Sequence, residues 1–284
     1  MAGIPTQGLN RRGLMLRAGA GALLGAAGVP AFAAEALPLT GKLVQGGYAI
    51  GQAKPRAPVT VDGVAVTQAS ASGLFVVGFD RDEPPAYRLA AGSQDRDLTI
   101  APTAYDVQHV NGLPQDQVTP TDPALLARIR REVALKAEGF ASRVDGDWFK
   151  DGFQWPVEHF VVSGRFGNQR VLNGTPSKPH YGIDLAAPTG TPIHAPAPGL
   201  VALAVPDMHF DGGITLIDHG QGFISVYLHQ SKQFVSKGEM VKTGQVIGHV
   251  GQTGRATGPH LCWRLHWRTR NLDPSLLVGG AKAV

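Results

Sequence analysis

The 284-residue chain is long enough to bury one large core or two smaller ones, and a hydrophobic content of 43% excludes disorder as its main state. Its 37 glycines and 21 prolines predict a mostly β fold, with short strands joined by tight turns. The formal net charge is +4, but three of the 26 basic residues and none of the 22 acidic ones lie in residues 1–34, so the remainder carries only +1. This balance removes the electrostatic argument for a nucleic-acid partner.

Residues 1–34 are predicted to be a signal peptide. Arg11 and Arg12 precede a small, apolar run over residues 13–29, and the sequence Ala-Phe-Ala at 31–33 fits a signal-peptidase site. The run is too short and too rich in glycine for a stable membrane span. The arginine pair is similar to a twin-arginine export signal, and a general secretory signal is the alternative. We therefore expect an exported, periplasmic protein with no membrane span after signal removal.

Residues 35–120 are predicted to form a small N-terminal β-sandwich. Six short apolar stretches alternate with turns between Lys42 and Pro102, and Asp62-Gly63 between two such stretches is typical of a two-residue hairpin. This region contains no catalytic constellation. Its acidic residues Asp80, Asp82 and Glu83 adjoin two prolines, which predicts a solvated loop.

Residues 121–150 are predicted to be a helical linker. Thr121-Asp122-Pro123 offers a cap followed by proline at the first helical position. Apolar residues then recur at helical spacing as far as Gly139. The arginines of this stretch occupy polar positions, which is typical of a solvated helix face.

Residues 151–284 return to a pattern of short strands separated by glycine and proline. This pattern predicts one antiparallel β domain with long loops. The predicted strands are residues 182–185, 199–204, 213–217, 223–228, 246–250 and 261–267.

Two short motifs in this C-terminal region contain residues of the types that act as zinc ligands in proteins. His180 and Asp184 have H-x-x-x-D spacing, which is weak evidence by itself. In the second motif, strand alternation places His260 and Cys262 on one face. Histidine nitrogen, carboxylate oxygen and cysteine sulfur are all ordinary zinc ligands. The single cysteine, Cys262, cannot form an internal disulfide, so a metal ligand is one explanation and a buried apolar thiol is the other.

Together with the strand that ends at His229, these motifs resemble the LytM/lysostaphin-type metallopeptidases over about residues 155–274. That family has H-x-x-x-D, Tyr-x-His on a strand, and Gly-Pro-His-x-His. The resemblance implies that His180 and Asp184 bind Zn²⁺ and that His229 and His260 are catalytic. The family's third ligand is the last histidine, and here that position is Cys262. Further matching stretches follow in the same order at residues 164–167, 186–192, 218–220, 244–248 and 253–254.

The function implied by the resemblance is a zinc metalloendopeptidase that hydrolyses the peptide cross-links of bacterial peptidoglycan. Three protein ligands leave one position open, as expected of a catalytic zinc. One of the two catalytic histidines would take a proton from water while the other stabilises the oxyanion. The partners would be peptidoglycan stem peptides. An exported chain without a wall-binding repeat favours direct cross-links over glycine bridges.

The main alternative is a catalytically impaired relative that binds and activates another cell-wall hydrolase. A simple wall-binding module is a third hypothesis. Four of the five expected site residues are present and the fifth is replaced by another strong zinc ligand, which favours the enzyme. Zinc content separates the enzyme from a metal-free regulator.

Overall fold

A computed structural model describes residues 37–279, so the predicted signal peptide lies outside the described residues. The described chain is mostly β, which confirms the predicted fold class. None of its helices combines the length and the apolar character that a bilayer span requires. The described residues belong to one compact unit.

The N-terminal region contains two antiparallel sheets, as the sandwich prediction requires. One sheet has the order β1-β2-β5 and the other β4-β3-β6-β7. Asp62 and Gly63 have φ values of 48° and 79° at the β3–β4 turn, which confirms the predicted hairpin. The strands are β1 (Leu39–Lys42), β2 (Tyr48–Gln52), β3 (Pro58–Val61), β4 (Val64–Gln68), β5 (Leu74–Gly78), β6 (Ala86–Ala91) and β7 (Gln94–Thr99).

A connecting segment leads from this region to the C-terminal one. It contains strand β8 (Val107–Val110), the short helix α1 (Gln115–Val118) and the long helix α2 (Pro123–Phe140). The Asp122 carboxylate accepts a 2.7 Å hydrogen bond from the amide of Leu125 and caps α2. The predicted cap and helix are therefore present.

The C-terminal region is built on an eight-stranded sheet with the order β18-β14-β15-β16-β20-β12-β9, to which β21 adds beside β20. A small sheet has the order β13-β19-β17, and β8 joins β10 and β11 in another. The strands are β9 (Val161–Gly164), β10 (Gln169–Leu172), β11 (Thr175–Pro176), β12 (Ile183–Ala186), β13 (Pro192–His194), β14 (Gly199–Val205), β15 (Gly213–Asp218), β16 (Phe223–Gln230), β17 (Lys232–Gln233), β18 (Met240–Val241), β19 (Val246–His249), β20 (His260–Trp267) and β21 (Arg270–Leu272). A 3-10 helix, Pro274–Leu277, follows.

The position of β20 between β12 and β16 brings the separate sequence motifs together. Cys262 of β20 lies opposite Asp184 of β12 on one side and opposite Leu228 of β16 on the other. His229 directly follows Leu228, so residues far apart in sequence meet at one place on the sheet.

One hydrophobic cluster extends through both regions. It includes Phe75 and Phe79 from the N-terminal sheets and Phe223 and Trp267 from the C-terminal sheet, each at most 1% exposed. The two regions also approach closely at Gly78, where a Cβ atom would lie 2.8 Å from a methyl carbon of the Leu272 side chain. Because the core is continuous, the apolar faces of both regions are buried against each other.

The prediction that the acidic residues near Asp80 lie in a solvated loop is wrong for Glu83. This residue is only 6% exposed, and its carboxylate lies 3.2 Å from Arg270 Nε. It also accepts a hydrogen bond from the amide of Asp80. The buried carboxylate is stabilised by a partner 187 residues further along the chain, which local sequence pattern does not reveal.

Candidate metal and catalytic site

His180, Asp184 and Cys262 form a buried cluster with one potential ligand atom each. The three residues are 1%, 6% and 1% exposed, and their ligand atoms all lie within 4.8 Å of one another. His180 Nε2 is 3.1 Å from Asp184 Oδ1 and 3.3 Å from Cys262 Sγ. Atoms that bind one zinc ion at about 2.0–2.3 Å have spacings of this size.

The environment of Asp184 favours a cation at this cluster. Its Oδ2 accepts a 2.7 Å hydrogen bond from Arg170, whereas Oδ1 is buried and has no hydrogen-bond partner among the described residues. The charged Arg170 guanidinium beside it favours the ionised form of the Asp184 carboxylate. A buried, ionised oxygen without a donor is costly, and a metal ion would satisfy it. The residues therefore fit zinc.

Each imidazole near the cluster has its Nδ1 fixed by a backbone carbonyl. The contacts are His180 to Arg165 O at 3.2 Å, His229 to Thr253 O at 2.7 Å, and His260 to Gly258 O at 2.8 Å. A carbonyl oxygen can only accept, so Nδ1 must carry the hydrogen. The neutral ring then presents an unprotonated Nε2, which is the form that binds a metal or accepts a proton.

His229 and His260 face each other next to the cluster. Their ring centroids are 4.7 Å apart, and His260 Nε2 lies 3.6 Å from Asp184 Oδ1. His229 is 5% exposed, and burial is the largest cause that lowers its pKa, to about 3. Its φ of 65° is in the left-handed region, which costs free energy for a residue with a side chain. This strained conformation is retained at the end of β16, where the ring reaches the cluster.

Cys262 has two polar neighbours. Its Sγ is 3.3 Å from His180 Nε2 and accepts a 3.4 Å hydrogen bond from Arg264 Nε. Burial raises the pKa of the Cys262 thiol to about 12, so a thiolate at this position requires a cation beside it.

An open groove of about 270 Å³ adjoins the cluster and is lined by Asp184 and His260. Gln108 and Val110 of β8 form part of its wall, because β8 pairs in parallel with β10. The connecting segment between the two regions therefore contributes directly to the wall of this groove.

Two further histidines of this region, His219 and His266, lie outside the cluster. His219 is buried, and its ring nitrogens contact Pro198 O and Ser225 Oγ at 2.6 and 2.7 Å. His266 stacks on Phe140 with ring centroids 4.4 Å apart. The sequence analysis missed Arg170 and Arg264. Strand alternation from Cys262 could have placed Arg264 on the same face, but nothing local pointed to Arg170.

Two comparisons with known proteins bear on this geometry. A family model described as peptidase family M23 matches residues 178–274. The crystal structure of a Pseudomonas aeruginosa protein assigned to peptidase M23 is 30% identical, with a TM-score of 0.64, and the match covers 84% of this chain and 96% of that one. The chain belongs to peptidase family M23. The predicted LytM-type resemblance is thereby confirmed.

Curated relatives of this M23 chain have names that describe them as endopeptidases. Peptidoglycan DD-endopeptidase ShyA of Vibrio cholerae is 39% identical over 132 residues, which are 45% of this chain. DD-carboxypeptidase/endopeptidase Mpg of Neisseria meningitidis is 39% identical over 126 residues, which are 44% of this chain. The matches cover only 30% and 29% of those relatives.

Proposed function

We propose that this M23 member is an exported zinc metalloendopeptidase that hydrolyses peptide cross-links of bacterial peptidoglycan. The observation that carries the proposal is the convergence of His180 Nε2, Asp184 Oδ1 and Cys262 Sγ beside an open groove. The name of ShyA supports peptidoglycan as the substrate, and the DD specificity in the names of ShyA and Mpg supports direct cross-links as the bond type. Export, with residues 1–34 as the signal peptide, follows because the substrate lies outside the cytoplasm.

His180, Asp184 and Cys262 would hold the zinc ion. When bound, zinc supplies a Lewis acid that polarises the scissile carbonyl and makes a water molecule more acidic. The buried protein side chains define one face of this site, and the groove gives access from the other. Arg170 holds the second oxygen of Asp184, which fixes the orientation of the carboxylate.

His229 and His260 would move the proton during hydrolysis. Their Nδ1 atoms are fixed by the carbonyls of Thr253 and Gly258, so both rings present Nε2 to the same space. One ring would accept a proton from the attacking water at Nε2 and then deliver that proton to the leaving amine, and the other, in its protonated form, would donate a hydrogen bond from Nε2 to the oxyanion. The 4.7 Å separation of the rings allows both to reach one substrate group.

The proposed domain organisation is a sandwich over residues 35–120, a linker over 121–150 and the peptidase region over 151–284. In this arrangement Gln108 and Val110, near the end of the first segment, form part of the groove wall. These residues would lie against a peptide held in the groove.

The test combines zinc content with digestion of purified peptidoglycan by the mature chain, with products identified by mass. We expect His180→Ala and Asp184→Ala to lose zinc and turnover, and His229→Ala and His260→Ala to retain zinc and lose turnover. His159→Ala, an exposed histidine outside the cluster, is the matched control. Full hydrolysis by His229→Ala would overturn the catalytic assignment. A wild-type chain that never cuts wall but stimulates another hydrolase would favour the regulator instead.

A further inference from the structure

A second cavity, of about 480 Å³, lies beside the metal cluster and is distinct from the groove described above. Asp184 and His260 line the groove, whereas His180 lines the second cavity. Arg170 and Arg255 form part of the wall of each cavity. The two cavities therefore lie on either side of the cluster.

Three arginines from separate parts of the chain meet at the second cavity. Arg170 lies on β10, Arg255 on the loop before β20, and Arg264 on β20, and we call this set the basic pocket. Arg264 packs against Gly182, where a Cβ atom would lie 2.6 Å from Arg264 Cγ. Any side chain at position 182 would displace Arg264.

Positive charge in the second cavity exceeds the negative charge that faces it. Asp211 is the acidic residue that lines it, and its carboxylate is already paired with Lys136. Arg170 is paired with Asp184. Arg255 and Arg264 have no carboxylate partner among residues 37–279.

The contacts of Arg255 and Arg264 leave most of their donors free. Arg264 uses Nε for Cys262 Sγ, and Arg255 donates from Nη1 to the carbonyl of Gln117 at 3.2 Å while its guanidinium stacks over Phe210 at 4.9 Å. Burial and then repulsion from Arg170 and Arg264 lower the pKa of Arg255. Such crowding of like charges destabilises the fold unless a bound anion compensates it.

We propose that the basic pocket binds a free carboxylate of the peptide substrate, while the groove holds the chain on the other side of the scissile bond. A guanidinium matches a carboxylate with two parallel hydrogen bonds, which gives orientation as well as affinity. This inference rests on the proposed peptidase function. It adds that the substrate is acidic next to the cleaved bond and that its direction in the site is set by charge.

Arg255 is the residue on which to test the pocket, because it makes no contact with His180, Asp184 or Cys262. Binding of synthetic stem peptides to the full zinc-loaded chain is measured by calorimetry. One peptide has all its carboxylates free, a second has the C-terminal carboxylate amidated, and a third has the side-chain carboxylates amidated. Hydrolysis of cross-linked forms of the same peptides is measured separately. Arg255→Gln removes the charge, and Arg130→Gln, on the exposed face of α2, is the matched control.

We expect wild type to bind the free acid about 10-fold to 100-fold more tightly than one of the two amides, as for a charge-assisted hydrogen bond. Arg255→Gln should abolish this preference and raise KM, and Arg130→Gln should leave both unchanged. The amide that binds weakly identifies which carboxylate occupies the pocket. Equal binding of all three peptides by wild type would overturn the inference, even if hydrolysis proceeds. A clear preference in binding without any hydrolysis would retain the pocket and overturn the peptidase proposal.

Discussion

Gly164 lies so close to Asp184 that a Cβ atom at position 164 would be 2.4 Å from Asp184 Oδ2. Contacts under 3 Å are not tolerated, so Gly164→Ala must displace the carboxylate or the strand. We expect this variant to bind zinc at least about 10-fold more weakly, as for loss of an outer-shell contact to a metal ligand. Zinc competition with a chromophoric chelator checks this. Gly279→Ala, where nothing lies within 4 Å of the added atom, should bind zinc as wild type does.

Cys262 is the position at which this chain departs from the family pattern, and its replacement tests the ligand assignment. We expect Cys262→Ala to lose zinc and Cys262→His to retain it. A thiolate lowers the charge of the metal centre by one unit relative to imidazole, so wild type should hydrolyse more slowly, or at a higher optimal pH, than Cys262→His. Cobalt-substituted wild type should also have a sulfur-to-metal absorption band that Cys262→His lacks. Unchanged zinc affinity in Cys262→Ala would contradict a thiolate ligand.

The left-handed backbone at His229 predicts an unusual order of stability. Glycine adopts a φ of 65° without strain, whereas alanine does not. We therefore expect His229→Gly to be more stable than His229→Ala by about 1 kcal/mol, although glycine usually destabilises strands. Urea unfolding of both variants gives the difference. Both should be inactive, and a more stable alanine variant would show that the strain is not present in solution.

Because His219 is buried, we expect the protein to lose stability in mild acid. Burial, opposed by the carbonyl of Pro198, lowers its pKa from 6.5 to about 4. The unfolded chain therefore takes up the proton first as the pH falls, and the free energy of unfolding decreases between about pH 6.5 and pH 4, by up to about 1.4 kcal/mol per pH unit for this residue. Chelator-treated protein is used so that metal release does not contribute.

The matched variants for this pH dependence are His219→Gln and His159→Gln. Urea unfolding at several pH values should give a shallower slope for His219→Gln than for wild type. His159 is exposed, so His159→Gln should retain the wild-type slope. If the two variants have the same slope, His219 is not a source of the acid sensitivity.

Local pattern predicted those parts of the fold that depend on neighbouring residues. The hairpin turn at Asp62-Gly63 and the helix cap at Asp122 each depend on a few adjacent residues, and both are present. The six predicted strands of the C-terminal region match observed strands within two residues at each end. Alternation also placed His260 and Cys262 on one face of β20, which is where the cluster lies.

Features that depend on distant partners were not predicted. The parallel pairing of β8 with β10 joins residues about 60 positions apart, and no periodicity indicates which strand a short apolar stretch will meet. Arg170 and Arg255 line the cavity beside the cluster, from a strand and a loop whose own sequences carry no metal motif. The burial of Glu83 has the same cause, because its partner Arg270 lies on a strand of the other region.

The continuous core described for Phe75, Phe79, Phe223 and Trp267 determines how the protein should unfold. Residues that share one apolar cluster lose their burial together, so melting of either region exposes the other. Heating should therefore give one cooperative calorimetric transition instead of two. Limited proteolysis should likewise fail to release a stable peptidase fragment. Substitutions in the core of the N-terminal sheets should therefore also lower the stability of the C-terminal sheet that carries the candidate metal site.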